Sequence, residues 1–317
     1  SGSESAWRRR ARLVPRLVAA QRPPSLDAAS RRVARPDASY VITGGLGGLG
    51  LQWLPHLTSE RWGSARRLVL ASRSGKVDKK ATAALAMLRK DLNADIICAC
   101  ADVAVKDDVA RLLTTHGAAP ERPLAGIFHL AGVAGDGFIS GLSWQHFVEQ
   151  SAAKIRGSAH LHSFTRGQLL AGGSPLPLDH FVLFTSIYGL LGNPQLSHYA
   201  AANSFQDGLA FSRRQEGLAG LALSWGTWAG AGMAHRFGSG FEAYWRSQGM
   251  GFIELDDGLL VLGELMASSS SAHYAYRQAR RVGVCGTARS TIARHGEGGV
   301  GYGTSAPRAG GRGGGLG

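Results

Sequence analysis

The chain has 317 residues, 44% of them hydrophobic and 18% charged, which is enough apolar material for a sizeable globular core. Its richest apolar run, Phe181 to Gly192, is far shorter than the ~20 residues of a membrane helix, so no membrane span is expected. The net charge of +13 sits at the ends: residues 1–39 hold nine Arg against three acids, residues 277–317 hold seven Arg against one Glu, and the 237 residues between carry +1. A nucleic-acid surface would need that charge on the fold, so the two Arg-rich ends read as solvated tails and no nucleic-acid partner is expected. The chain starts with Ser, and no charged-then-apolar leader follows, so neither a signal peptide nor a natural start is read there.

From residue 40 onward, short apolar runs alternate with longer amphipathic stretches. The runs are 40–43, 67–71, 94–100, 124–130, 178–185 and 218–224; helix-patterned stretches cover 49–60, 79–92, 106–116, 143–165 and 197–216, and a helix over 255–267 and a strand over 272–276 close the series. This alternation predicts an α/β fold with a doubly wound parallel sheet covered on both faces. "GIFHLAG" and "HFVLFTS" are continuously apolar, as strands buried on both sides should be.

The first strand, "SYVIT", runs into Gly44-Gly45-Leu46-Gly47-Gly48-Leu49-Gly50, where Gly45, Gly47 and Gly50 satisfy G-x-G-x-x-G. In a chain with 45 glycines that spacing alone is weak; between a strand and a helix it predicts a Rossmann-type dinucleotide loop, with a pyrophosphate on the helix N-terminus. The second strand ends in Ser72 and Arg73 where a cofactor without a 2′-phosphate would meet an acid. A hydroxyl and a guanidinium suit a phosphate dianion, so NADPH is the expected cofactor. On the third strand Cys98 and Cys100 share one face and are expected to be small core residues in a reducing, cytoplasmic compartment. Asp102 and Val103 follow, where an acid can bond the adenine amino group. His129 ends the fourth strand and reads as a packed, hydrogen-bonded histidine.

The catalytic signal spans residues 184 to 203. Ser186 ends a strand, Tyr199 comes 13 residues later, and Asn203 lies one helical turn beyond it on the same face. Lys154 belongs to an earlier helix. A site that reduces a carbonyl must protonate the oxygen as hydride arrives, and a phenol near pKa ~10 is too weak an acid unless a cation lowers it. Lys154 can supply that charge and grip the nicotinamide ribose, while Ser186 can hydrogen-bond and polarise the carbonyl oxygen. Trp225 to Trp228 follow the sixth strand, and Phe241, Tyr244 and Trp245 have helical spacing. Nothing has metal-ligand spacing, and no metal is expected.

Together these stretches ("YVITGGLGGLG", "LVLASRSG", "KIRGSAHL", "FVLFTSIYGLLGNPQLSHYAAANSFQDGLA" and "ALSWGTWAGAGMA") resemble the ketoreductase domains of modular polyketide synthases, a branch of the short-chain dehydrogenase/reductases. The animal-type fatty-acid synthase reductase is a close relative, and a non-catalytic NADPH-binding Rossmann module is the alternative outside enzymes. The resemblance covers residues 40–276 and implies a β-ketoacyl thioester on the phosphopantetheine of an acyl carrier protein, reduced to the β-hydroxyacyl group among neighbouring synthase domains. It implies catalysis by Tyr199, Ser186, Lys154 and Asn203, with lysine and asparagine exchanged relative to the simpler Tyr-x-x-x-Lys reductases. Cofactor contacts are implied at Thr43, Gly45, Gly47, Leu49, Gly50, Ser72, Arg73, Asp102, Val103, Ala131 and Gly132.

Two departures stand out. The type that yields a D-hydroxy product carries Leu-Asp-Asp where this chain has Ala134-Gly135-Asp136, keeping only the last acid; Pro194 matches that type, and Leu191 stands where the opposite type has Trp. Complete members also carry a structural half before the catalytic one, of which "AWRRRARLVPRLVAA" resembles only the closing strand. Residues 1–39 thus read as a remnant and linker of a fragment, with part of its packing face uncovered. Residues 277–317, with 13 Gly in 41, read as a tail without regular structure.

Overall fold

The computed structural model describes residues 33–91, 93–117, 121–133, 135, 137–168, 178–230, 240, 247 and 251–267, with strand segments at 6–8, 11–13, 273–278 and 285–288. Contacts divide the chain into two units, Ser1–Pro15 with Thr291–Gly317, and Arg16–Ser290. In the first, β1 (Ala6–Arg8) pairs antiparallel with β2 (Ala11–Leu13), so the opening segment holds a two-stranded ribbon instead of one strand.

The second unit follows the chain as β3 (Ser39–Thr43), α1 (Gly48–Leu57), β4 (Arg67–Ser72), α2 (Lys79–Asp91), β5 (Asp95–Cys100), α3 (Lys106–Arg111), β6 (Leu124–His129), α4 (Trp144–Ala152) and α5 (Ser158–Ser163). It continues with β7 (His180–Ser186), α6 (Tyr188–Leu191), α7 (Ser197–Gln215), β8 (Leu221–Trp225), α8 (Leu255–Ala267), β9 (His273–Gln278) and β10 (Cys285–Ala288). The sheet order is β10-β9-β8-β7-β6-β3-β4-β5, parallel throughout except for the antiparallel edge strand β10. The chain builds outward from β3 to β5, then returns to the other side of β3 through β6. That reversal opens a crevice beyond the carboxyl ends of β3 and β6, where such sheets hold their ligands.

Alternation along each strand feeds two cores. On one face Tyr40, Ile42, Leu68 and Leu70 meet Trp53 of α1 and Leu262 of α8; on the other Val41, Val69, Ile127 and Leu183 meet Leu161 of α5 and Ala210 of α7. Trp53 anchors the first, its ring edge-on to Phe128 with centroids 4.5 Å apart. Burial on both faces accounts for the unbroken apolar character of β6 and β7.

Four expectations change. Residues 33–38, assigned to the linker, are part of the folded body: Val33 and Ala34 are buried and both donate to the Trp62 carbonyl. Cys98 is half-buried and Cys100 exposed, because β5 is the sheet's edge strand and its outer end is not fully covered; both are free thiols. The single helix expected over 143–165 contains π-helical turns at Ala153–Gly157 and Phe164–Gln168. The tail read from Arg277 begins later, since Arg277 and Gln278 lie in β9 and Cys285–Ala288 form β10, strands paired through backbone groups that a Gly/Arg-rich composition does not advertise. Phe138, Ile139 and Trp144 are 63%, 77% and 76% exposed. Among the described residues no helix is long and apolar enough to cross a membrane.

Candidate active site

The loop after β3 is shaped by the absence of side chains. Gly44 has φ +72°, and a Cβ there would lie 2.8 Å from the Ala131 nitrogen, so the loop lies hard against the strand-end segment after β6. A Cβ on Gly50 would come within 2.6 Å of the Gly45 carbonyl oxygen, so only glycine lets α1 start this close to the turn. Gly47 differs: a Cβ there would meet only the Gly44 oxygen, at 3.1 Å. Its bareness keeps backbone open toward the crevice, at the N-cap of a helix that no side chain caps. These features fit a pyrophosphate, with Leu49 in the first turn of α1.

At the end of β4, Ser72 Oγ accepts from the Gly75 N–H at 3.1 Å, and Arg73 is exposed. Among the described residues Arg73 forms no ion pair, so its guanidinium is available to a phosphate. Asp102 ties one carboxylate oxygen to the Ala104 N–H, while Val103 is buried against the helix at Gly157. Thr43 points inward and donates its hydroxyl to His129 Nδ1 at 2.6 Å. The other ring nitrogen of His129 donates to the Ala153 carbonyl at 3.0 Å. Burial, aided by the Lys154 charge, pushes the His129 pKa down to about 3, so the ring is neutral and serves as a hydrogen-bonding bridge, as its position in the sequence suggested.

The second group of side chains converges beyond β7. Ser186 is the last residue of the strand, Tyr199 and Asn203 sit one turn apart on α7, and Lys154 arrives from the π-helical turn between α4 and α5. All four are buried. Lys154 Nζ donates to the Phe184 carbonyl at 2.8 Å and to Gln206 Oε1 at 3.1 Å, and it lies 5.7 Å from the centroid of the Tyr199 ring. Room for its stem comes from Gly132, where a Cβ would sit 2.9 Å from Lys154 Cε. Asn203 Nδ2 donates to the Tyr199 carbonyl at 2.7 Å; its buried Oδ1 has no hydrogen-bond partner among the described residues.

Electrostatics refine the expectation for Tyr199. Burial raises its pKa, and the opposing contributions come from hydrogen bonds with Ser186 and Asn203 rather than from Lys154. The lysine itself is pulled down to about 8 by burial, against which the Asp207 carboxylate acts. Two of the ammonium protons go to neutral acceptors, the Phe184 carbonyl and Gln206.

The structure thus gathers Lys154, Ser186, Tyr199 and Asn203 into one group, and sets Thr43, Gly45, Gly47, Gly50, Ala131 and Gly132 along the switch-point crevice. Ser72, Arg73, Asp102 and Val103 line the neighbouring strand ends. Ala134, Asp136, Phe241, Tyr244 and Trp245 lie outside the described residues. Sequence reasoning passed over Gly44 and Gln206; the second was signalled by its place seven residues after Tyr199 and three after Asn203, on one helical face. No cluster of His, Cys, Asp or Glu among the described residues has the makings of a metal site.

A doubly wound sheet with a glycine loop at its switch point and a Ser, Tyr and Lys group beyond the next strands defines a short-chain dehydrogenase/reductase. Comparison narrows the class: the family described as KR domain matches residues 38–230, and the chain belongs to that ketoreductase family. It is 36% identical over 260 residues to the spectinabilin polyketide synthase system protein NorB of Streptomyces orinoci, covering 81% of this chain and 11% of that protein. Against the phthioceranic/hydroxyphthioceranic acid synthase of Mycobacterium tuberculosis it is 35% identical over 201 residues, 63% of this chain and 9% of the synthase. Among solved structures, an A1-type ketoreductase superposes with a TM-score of 0.74 at 31% identity, covering 87% of this chain and 54% of that one. The first ketoreductase of the tylosin polyketide synthase gives 0.64 at 32% identity, with 80% and 51% covered. The chain spans about a tenth of the curated relatives and about half of the solved ketoreductases.

Proposed function

We propose that this chain carries out the NADPH-dependent reduction of a β-ketoacyl thioester, held on the phosphopantetheine of an acyl carrier protein, to the β-hydroxyacyl thioester within a cytoplasmic polyketide synthase. The observation that carries this reading is the convergence of Ser186, Tyr199 and Lys154 beside a glycine loop open at Gly47. When bound, NADPH supplies the hydride. Arg73 and Ser72 would hold its 2′-phosphate, the Gly44–Gly50 turn and the N-terminus of α1 would receive the pyrophosphate, and Asp102 would offer its remaining oxygen to the adenine amino group. Ser186 hydrogen-bonds the substrate carbonyl oxygen and fixes its orientation. Tyr199 donates its phenolic proton to that oxygen. Lys154 keeps one proton of its ammonium for the ribose and the phenol, and Asn203 Oδ1 accepts a hydrogen bond from a water or ligand beside the lysine.

In this reading the reductase unit runs from residue 33 through β10, and the segment before it closes a structural half. The test follows NADPH absorbance with a β-ketoacyl thioester mimic, in the wild type and in Tyr199→Phe. Turnover in the wild type that vanishes in a variant still binding NADPH is the expected result. NADPH binding without turnover in the wild type would overturn it in favour of a cofactor-binding module.

A further inference from the structure

Lys154 is a cation in a place that offers it little water, so its orientation depends on the groups that receive its protons. One is the Phe184 carbonyl on β7, the other the side chain of Gln206 on α7. Gln206 is wholly buried and makes a second contact with the same residue, Nε2 donating to the Lys154 backbone carbonyl at 3.3 Å. The two bonds dictate each other. An ammonium only donates, so it must face the amide oxygen; a carbonyl only accepts, so it must face the amide nitrogen. No other side chain of this size offers one donor and one acceptor in a planar fork. The carbonyl is presented at the π-helical turn, where the Ser158 hydroxyl also donates to it.

We propose that Gln206 is the positioning residue for Lys154, clamping its ammonium and its backbone carbonyl at once so that the remaining N–H of the ammonium is directed at Tyr199 and the bound ribose. This rests on the assignment of Lys154 made above. Two of the three ammonium protons are taken by Phe184 and Gln206, which leaves one for the site. The charged and titratable groups facing the ammonium are Tyr199 and Asp207 from α7 and the neutral ring of His129 from β6. Of these only Asp207 is an anion, and its charge favours the protonated lysine; the neutral acceptor Gln206 fixes geometry while Asp207 adds field. Losing the amide would free the lysine to turn and would deepen the depression of its pKa.

The experiment uses the full chain with selectively 13Cε-labelled lysine. The Lys154 resonance, assigned by its loss in Lys154→Met, is titrated in the wild type, Gln206→Leu and Gln206→Glu, and NADPH-dependent turnover is measured on the same samples. The titration midpoint should fall by about one unit in Gln206→Leu, the size expected for one lost hydrogen bond to a charge, and rise in Gln206→Glu. Turnover in Gln206→Leu should drop roughly tenfold at constant pH in kcat, with little change in the KM for NADPH. A Lys154 midpoint that stays put in both folded variants overturns the inference; if Gln206→Leu does not fold, the direction in Gln206→Glu decides alone. The titration needs no turnover. Shifted midpoints in a chain that reduces nothing would uphold the clamp and sink the reductase assignment, whereas normal turnover with unmoved midpoints would do the reverse.

Discussion

The two halves of the crevice are made of different materials. On the β3–β5 side the site consists of backbone: a left-handed Gly44, a Gly50 that admits no side chain, a bare Gly47 and an uncapped helix start, with Arg73 exposed at the rim. On the β6–β8 side it consists of buried polar side chains that hold one another, Lys154 with Gln206 and Phe184, and Tyr199 with Ser186 and Asn203. A backbone site is specified by residues that must be absent, and it is local in the chain. A side-chain site is specified by partners that must be present, and its members come from residues up to 52 positions apart. Damage should therefore look different in the two halves: steric and structural in the first, electrostatic and pH-dependent in the second.

The largest effect should come from the second half. Tyr199→Phe removes the proposed proton donor and should lower kcat by roughly 10²–10⁴-fold, while the thermal midpoint and NADPH affinity stay near wild type. Next is a contrast within the glycine loop. Gly50→Ala drives a methyl into the Gly45 backbone, where no flexible atom can give way, and should cost about 1–3 kcal/mol of stability by denaturant titration together with NADPH binding. Gly47→Ala meets far less protein, so its stability should change by less than about 0.5 kcal/mol while NADPH affinity falls. Equal losses of stability in both would erase the distinction drawn above. Arg73→Ala should reduce the preference for NADPH over NADH by about 1.5–3 kcal/mol, a factor read from the two Kd values, and leave stability untouched because the residue is exposed.

The smallest effect is the most discriminating. Burial lowers the Lys154 pKa to about 8, so turnover should decline as pH rises through about 8. Stability should move the other way. The unfolded lysine holds its proton to about 10.4 and the folded one does not, so between about 8 and 10.4 the unfolded state binds more protons and this residue's burial penalty is relieved as pH rises. An alkaline loss of activity that tracks unfolding would refute this; one without unfolding supports it.

How much of this could be read from the residues follows the same division. The strand–helix alternation, the glycine loop and the Ser186, Tyr199 and Asn203 spacing lie within short windows, and periodicity and motif geometry act over such windows. The strand cores came out within a few residues, and the class of protein with them. Lys154 could be named but not its surroundings, because its acceptors are a strand carbonyl 30 residues away and an amide 52 residues away. The π-helical turns were missed since the apolar period over 143–165 continues across them. Their local cue is the hydroxyl of Ser158 bonding back onto Lys154 and that of Thr165 onto Leu161, contacts that compete with the helix ladder. Cys98 and Cys100 misled because an edge strand and a central one can share a composition.

The π-helical turn also bears on chain length. It gives the helix one residue more than a regular ladder requires, about 100° of additional rotation, and Lys154 stands inside that surplus. Removing Ala152 would let the ladder close as ordinary α-helix, leave the composition almost unchanged, and swing the lysine away from β7. For this segment, then, the quantity under the tightest constraint is a count of residues between Ser143 and Lys154, and a single deletion there would be harsher than most substitutions.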